Sequence, residues 1–155
     1  MTIRYHHFAA FPLLVLIAFV AGCGGSSLKT YRVEGTVTHN GSPVEGASVT
    51  FTPADTSGST AGGRTDAAGK YTLMTSFGAN GAEPGTYTVT ISKREGVPTG
   101  RKILSSEGPD GAEVEVDEKV LRDMLPVQYG SAQTSPFKDI KVEAKSLNTF
   151  DFALD

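Results

Sequence analysis

Alternation of apolar and polar residues, broken by short glycine-containing segments, is the feature that most constrains the fold of this chain. From Tyr31 onward, short runs place an apolar side chain or a glycine at every second position. Successive residues of a β-strand point to opposite faces, so this pattern predicts strands with one buried and one exposed side. The positions predicted to face the core are Tyr31, Val33, Gly35, Val37, Ala47, Val49, Phe51, Tyr71, Leu73, Tyr87, Val89 and Ile91.

Two polar segments between these runs carry residues that reverse a chain. Asn40 and Gly41 follow the first run, and both residue types tolerate the positive φ that a tight hairpin turn requires. Asp66 and Gly69 precede another run; the carboxylate can accept backbone N–H bonds and the glycine can adopt the left-handed conformation. We therefore predict structural turn roles for Asn40, Gly41, Asp66 and Gly69.

The spacing of strands and turns predicts the fold class. About seven strands fit into residues 31–155, which is typical of an all-β, single antiparallel β-sandwich. The 18 glycines and 8 prolines of the chain agree with a fold rich in strands and turns.

Residues 93–135 break the alternation. The segment is polar and contains several glycines and prolines, so it predicts a long irregular insertion in the domain. Within it, residues 117–125 predict two turns of helix, because Asp117 can cap the first turn and Pro126 can end the last.

Beyond this insertion, the alternation returns in residues 140–144 and 149–154. We predict that these two segments form a closing hairpin, with its turn at Ser146-Leu147-Asn148. Phe150, Phe152 and Leu154 are then expected to face the core.

The first 22 residues have the pattern of an export signal. Arg4 precedes an apolar run from Phe8 to Val20, which as a helix would be about 20 Å long and too short to cross a bilayer. The run ends in Val20-Ala21-Gly22-Cys23, which resembles a bacterial lipobox. The resemblance implies that residues 1–22 are a lipoprotein signal peptide, and that Cys23 carries lipid on its sulfur and an acyl chain such as palmitate on its amine.

Glycine and serine follow the cysteine, so residues 23–30 are predicted to be a flexible, lipid-anchored tether. Two or three acyl chains hold a protein stably on a membrane. The residue after the cysteine is Gly24 and not aspartate, and by resemblance to the sorting rules of Gram-negative bacteria this favours the outer over the inner membrane. We therefore expect a lipid-anchored protein of the cell envelope.

Four ordered segments of the chain resemble a known family: Gly35-Thr36-Val37, residues 41–51, Thr65-Asp66-Ala67-Ala68-Gly69-Lys70-Tyr71 and residues 84–89. They are similar to the carboxypeptidase regulatory-like domains, which are transthyretin-like β-sandwiches found in short bacterial envelope lipoproteins among other proteins. The resemblance covers about residues 31–92, and its motif residues are turn formers and core side chains. It implies a fold and does not by itself assign a function.

No combination of residues predicts a catalytic, cofactor or metal site. Of the three histidines only His39 follows the leader, so a histidine-based triad or metal site has no second partner. The acidic residues after position 110 do not have the ligand spacing of a calcium loop. The net charge of −3, without a clustered basic segment, excludes the usual electrostatics of nucleic-acid binding.

These observations predict a non-enzymatic envelope lipoprotein that acts as a structural or binding module. Its expected partners are the membrane, through the N-terminal lipid, and an envelope protein or polysaccharide. Two alternatives are open: an accessory domain assisting a carbohydrate- or peptide-processing enzyme, and a calcium-dependent adhesion module, which added calcium would stabilise against heat.

Overall fold

The computed structural model describes residues 29–55 and 58–155. The predicted signal peptide, Cys23 and most of the predicted tether lie outside these residues. The strands are β1 (Arg32–His39), β2 (Ser42–Pro43), β3 (Ser48–Pro53), β4 (Ala61–Arg64), β5 (Lys70–Thr72), β6 (Met74–Thr75), β7 (Gly85–Ser92), β8 (Arg94–Ser105), β9 (Val114–Asp123), β10 (Ile140–Val142), β11 (Leu147–Thr149) and β12 (Phe152–Leu154). Two 3₁₀ helices, Pro109–Gly111 and Val127–Gly130, complete the elements. In the described ranges, no helix is long and apolar enough to cross a membrane.

The first sheet is built around β1. Strands β2 and β5 pair with it antiparallel, whereas β11 and β12 pair with it parallel. The second sheet has the order β10-β7-β3-β4-β6 and is antiparallel throughout. The chain passes from the first sheet to the second between β5 and β6, at the buried Leu73.

The two sheets enclose one apolar core. Phe51 from the second sheet meets Phe152 from the first, with ring centroids 6.2 Å apart, and Phe152 also stacks on Tyr71 at 6.3 Å. Nearly all positions predicted to face inward are buried, while Tyr31 is half-buried. The prediction of an all-β, antiparallel β-sandwich is confirmed, with β11 and β12 as its parallel exceptions.

The prediction of an irregular insertion over residues 93–135 is wrong for most of that segment. Strands β8 and β9 form a long two-stranded antiparallel ribbon, with a register shift between Pro98 and Lys102 that accommodates the glycine-containing stretch. Among the residues that the structure describes, the two strands pair only with each other. None of their residues is buried.

The helix predicted over residues 117–125 is also wrong, because β9 occupies most of this segment. Pairing with a strand distant in sequence outweighs the local helix preference that the capping residues and the apolar spacing indicate. Asp117 forms an ion pair with Lys102 at 2.9 Å, and Asp123 pairs with Arg94 at 2.8 Å. Helix signals in residues 117–125 are thus overridden by cross-strand contacts that an isolated segment does not reveal.

The prediction of a closing hairpin is wrong as well. Strand β10 pairs with β7 in the second sheet, whereas β11 and β12 join β1 in the first, so the C-terminal strands belong to both layers. Leu147 and Asn148, predicted in the turn, begin β11. The buried Asn148 amide fixes the connection between β10 and β11. It accepts a hydrogen bond from the Glu143 N–H and donates one to the Glu143 carbonyl, both 3.0 Å long. These separate short strands explain why the chain has more strands than the seven predicted.

Candidate functional site

Asn40 and Gly41 lie in the two-residue turn between β1 and β2. Both have positive φ, 50° and 77°, as a hairpin turn of this type requires. The neighbouring His39 ends β1, and its Nε2 is 3.4 Å from the Asn40 side-chain nitrogen. The turn geometry therefore explains Asn40 and Gly41, and His39 is a residue of β1 paired with Ser42.

Asp66 and Gly69 lie in the loop between β4 and β5. Oδ1 of Asp66 accepts bonds from the N–H groups of Ala68 and Lys70, each 2.9 Å long. Gly69 has a φ of 73°, and its carbonyl accepts a 2.8 Å bond from the Val37 N–H. The loop is thus locked internally and fastened to β1.

A polar groove of about 730 Å³ runs over the outward face of the first sheet, beside β1 and β5. The described part of its charged lining is balanced, with three basic and three acidic side chains: Arg32, Arg64, Lys70, Glu34, Asp66 and Asp151.

The acidic groups of the groove are engaged in hydrogen bonds or ion pairs within the domain. Asp151 Oδ1 accepts bonds from the N–H and hydroxyl of Thr36 at 2.8 and 2.7 Å. Glu34 pairs with Arg32 at 2.8 Å. The Asp151 contacts fasten the segment between β11 and β12 onto β1, whereas Arg32 and Glu34 both lie on β1.

Among the described residues, Tyr71 is the one tyrosine that lines this groove. Burial raises its pKa well above the usual range, and the nearby Asp151 charge raises it further. Its hydroxyl donates a 2.8 Å bond to the Phe150 carbonyl. At neutral pH the phenol therefore keeps its proton and serves as a structural donor. Within residues 29–55 and 58–155, no three His, Cys, Asp or Glu side chains come together as a metal site.

The β8–β9 ribbon is the second candidate surface. On it, Arg101 forms two bonds to Glu118, of 2.9 and 3.0 Å, and the Thr99 hydroxyl adds one of 2.7 Å. The bonds from Arg101 and then Thr99 lower the pKa of the Glu118 carboxyl. Large apolar side chains are exposed on the same ribbon and at its base: Ile103, Leu104, Val120, Leu121 and Met124. Their cross-strand pairing places Ile103 and Val120 on one face of the ribbon and Leu104 and Leu121 on the other.

The ribbon leaves the sandwich at the end remote from the N-terminal segment. Tyr31 pairs with Ala82, with backbone bonds of 2.8 and 2.9 Å, just before β7 begins at Gly85. Strand β7 then runs about 23 Å to Ser92 at the usual rise per residue, and β8 starts two residues later. Sequence reasoning missed this ribbon; the alternation Val114-Glu115-Val116-Asp117 was the signal that could have revealed it.

Two facing sheets and a projecting two-stranded ribbon define a β-sandwich module. The family model for the carboxypeptidase regulatory-like domain matches residues 32–119, more than half of the chain. The chain belongs to this family, whose domains are non-catalytic β-sandwich modules. The resemblance inferred from the four motifs is thereby confirmed, and the match extends through most of the ribbon.

Other comparisons add little. No curated protein matches the sequence. Among solved structures, the crystal structure of a 9R-lipoxygenase from Cyanothece PCC8801 aligns at 11% identity over 80% of this chain, with a TM-score of 0.31. The chain spans about 16% of the length of that lipoxygenase. A likeness this weak carries no argument about function.

Proposed function

We propose that this protein is a non-enzymatic lipoprotein of the cell envelope, held on the membrane by lipid on Cys23. Its sandwich acts as a rigid mount, and the β8–β9 ribbon contacts an envelope protein or polysaccharide. The family's non-catalytic character supports this function, as do the lipobox-like residues before Cys23 and the engaged acidic groups of the polar groove.

The position of the ribbon is the observation that carries the proposal. An anchor at Cys23 would hold the Tyr31 end of the sandwich near the bilayer, because the seven residues after the cysteine reach at most about 25 Å. The ribbon starts at the other end of β7 and extends roughly 33 Å over the ten residues of β9. The exposed apolar side chains of the ribbon therefore lie on the part of the domain that is remote from the membrane surface.

Labelling with radioactive palmitate tests the anchor. We expect the full chain to incorporate label and to sediment with membranes, whereas Cys23→Ser should lose essentially all label, because the thiol is the first site of lipid attachment. Gly24→Ala is the matched control, since it leaves the cysteine in place, and it should keep both label and membrane association. Equal label in Cys23→Ser and the parent chain would end the lipoprotein proposal.

A further inference from the structure

The β8–β9 ribbon has two chemically different faces. Residues paired across an antiparallel ribbon lie on the same face. One face carries the cross-strand pairs Arg94–Asp123, Gly96–Leu121, Pro98–Lys119, Lys102–Asp117 and Leu104–Glu115. Six of these ten residues are charged, and Leu104 and Leu121 are exposed among them. The other carries Val97–Val120, Ile103–Val116 and Ser105–Val114, and we call it the apolar ribbon face.

The apolar ribbon face has no covering layer in the described structure. Ile103 is 43% exposed and Val120 is 42% exposed. Each cross-strand pair forms one row of this face, and two of the rows are charged. Glu95 opposes Arg122 at the base, and Arg101 binds Glu118 between the two apolar pairs. Glu118 shares this face because it lies two residues from both Val116 and Val120.

We propose that a second copy of this chain covers the apolar ribbon face, with the two ribbons stacked about a twofold axis parallel to their length. Such an axis places β8 of one copy over β9 of the other while keeping each row opposite itself. The Val97–Val120 row then meets its own copy, and so does the Ile103–Val116 row. The interface is isologous, with the same patch used twice.

Charge complementarity favours this occupant. In the stacked arrangement Arg101 faces Glu118 of the other copy and Glu118 faces its Arg101, so each charge meets an opposite charge. The same exchange brings Glu95, which also pairs with Lys93 at 2.9 Å in its own chain, opposite the second Arg122. Each row of the face therefore meets apolar or oppositely charged side chains when it lies against the same row of a second copy. A different partner would not need the face to match itself in this way.

The small area of the apolar ribbon face makes the pairing of two copies depend on the membrane anchor. In this respect the inference rests on the proposed function. A ribbon of ten residues by two strands offers roughly 330 Å² per copy. Two copies bury less than the roughly 1,200 Å² typical of stable complexes. Holding both chains on one membrane raises their effective concentration. The axis along the ribbons also lets both N-termini point to the same membrane.

Thiol cross-linking of the full chain in its membrane tests the pairing. A short bifunctional thiol reagent reaching about 10 Å matches the spacing of stacked sheets. Val116→Cys should give cross-linked dimer at least roughly tenfold above Glu115→Cys, since residue 115 lies on the outer, charged face of the pair. The parent chain shows any reaction at Cys23 itself.

Exchanging the charges of Arg101 and Glu118 distinguishes contacts between two chains from contacts within one chain. Arg101→Glu and Glu118→Arg, each combined with Val116→Cys, break the pairing within the ribbon and set like charges together in a dimer. Each alone should lose most of the cross-link. Expressed together and distinguished by tags, they should recover it in mixed dimers, where opposite charges meet only between chains.

Equal yields at residues 115 and 116, or no recovery in the mixed pair, would overturn the proposal. Circular dichroism of each purified variant confirms that the sandwich remains folded, and Lys119→Glu on the charged face is the matched charge control that should keep the cross-link. Palmitate label in the same samples reports the anchor separately. Label without cross-link refutes the pairing alone. Cross-link without label refutes the anchor, and with it the dependence of the pairing on the membrane.

Discussion

Phe152→Ala is expected to lower the free energy of unfolding by about 3–5 kcal/mol, the cost of removing a large aromatic side chain from a packed core. Phe152 is 4% exposed. Its ring centroid lies 4.7 Å from that of Phe137 and 6.2 Å from that of Phe51. The residue therefore joins the first sheet, the second sheet and the segment that leads into β10. Urea unfolding followed by circular dichroism measures the change.

The neighbouring Ala153 gives the matched control. It lies on the same short strand but is exposed, so Ala153→Ser should change stability by no more than about 0.5 kcal/mol. A loss below about 1 kcal/mol for Phe152→Ala would show that the two sheets do not share the core described.

Gly35→Ala is expected to destabilise the protein by about 3 kcal/mol or more, at the upper end for overpacking. A Cβ at this central position of β1 would lie 1.7 Å from the Phe150 carbonyl oxygen. That oxygen also accepts the Tyr71 hydroxyl bond. The clash involves backbone, which no side-chain rotation relieves, so the segment between β11 and β12 would have to move off β1.

Gly62→Ala tests whether this cost is specific. Gly62 also lies in a strand, yet a Cβ there would meet its nearest neighbour, the Val49 carbonyl oxygen, at an ordinary 3.6 Å. We expect a change within about 1 kcal/mol in either direction. Equal urea midpoints for Gly35→Ala and the parent protein would contradict the close approach of residue 150 to β1.

Local pattern was enough for the elements whose partners lie nearby in sequence. The alternation around Val33, Val49 and Val89 identified the buried face because one side of each strand meets the core. Asn40 and Asp66 were placed in turns because their chemistry acts within a few residues. The same reasoning read Gly35 as a small core residue, whereas its role is to admit a distant carbonyl group.

The elements that sequence reasoning missed depend on partners far along the chain. Residues 117–123 carry helix signals, yet as β9 they are held by pairing with β8 and by ion pairs such as Arg101–Glu118. The parallel pairing of β12 with β1 joins residues over one hundred positions apart. In the candidate surfaces, Asp66 was recognisable from its turn, but the bond from Thr36 to Asp151 was not, because no local pattern connects them.

Energy transfer from a protein label to acceptor-labelled lipid head groups tests the central claim, that the sandwich stands on the membrane by its Tyr31 end and presents the ribbon away from it. The full chain is isolated with its lipid, labelled through Asn80→Cys near Tyr31 or Asp110→Cys at the ribbon tip, and placed in vesicles. The account predicts strong transfer from position 80 and much weaker transfer from position 110. Equal transfer from both positions, or stronger transfer from position 110, would contradict it.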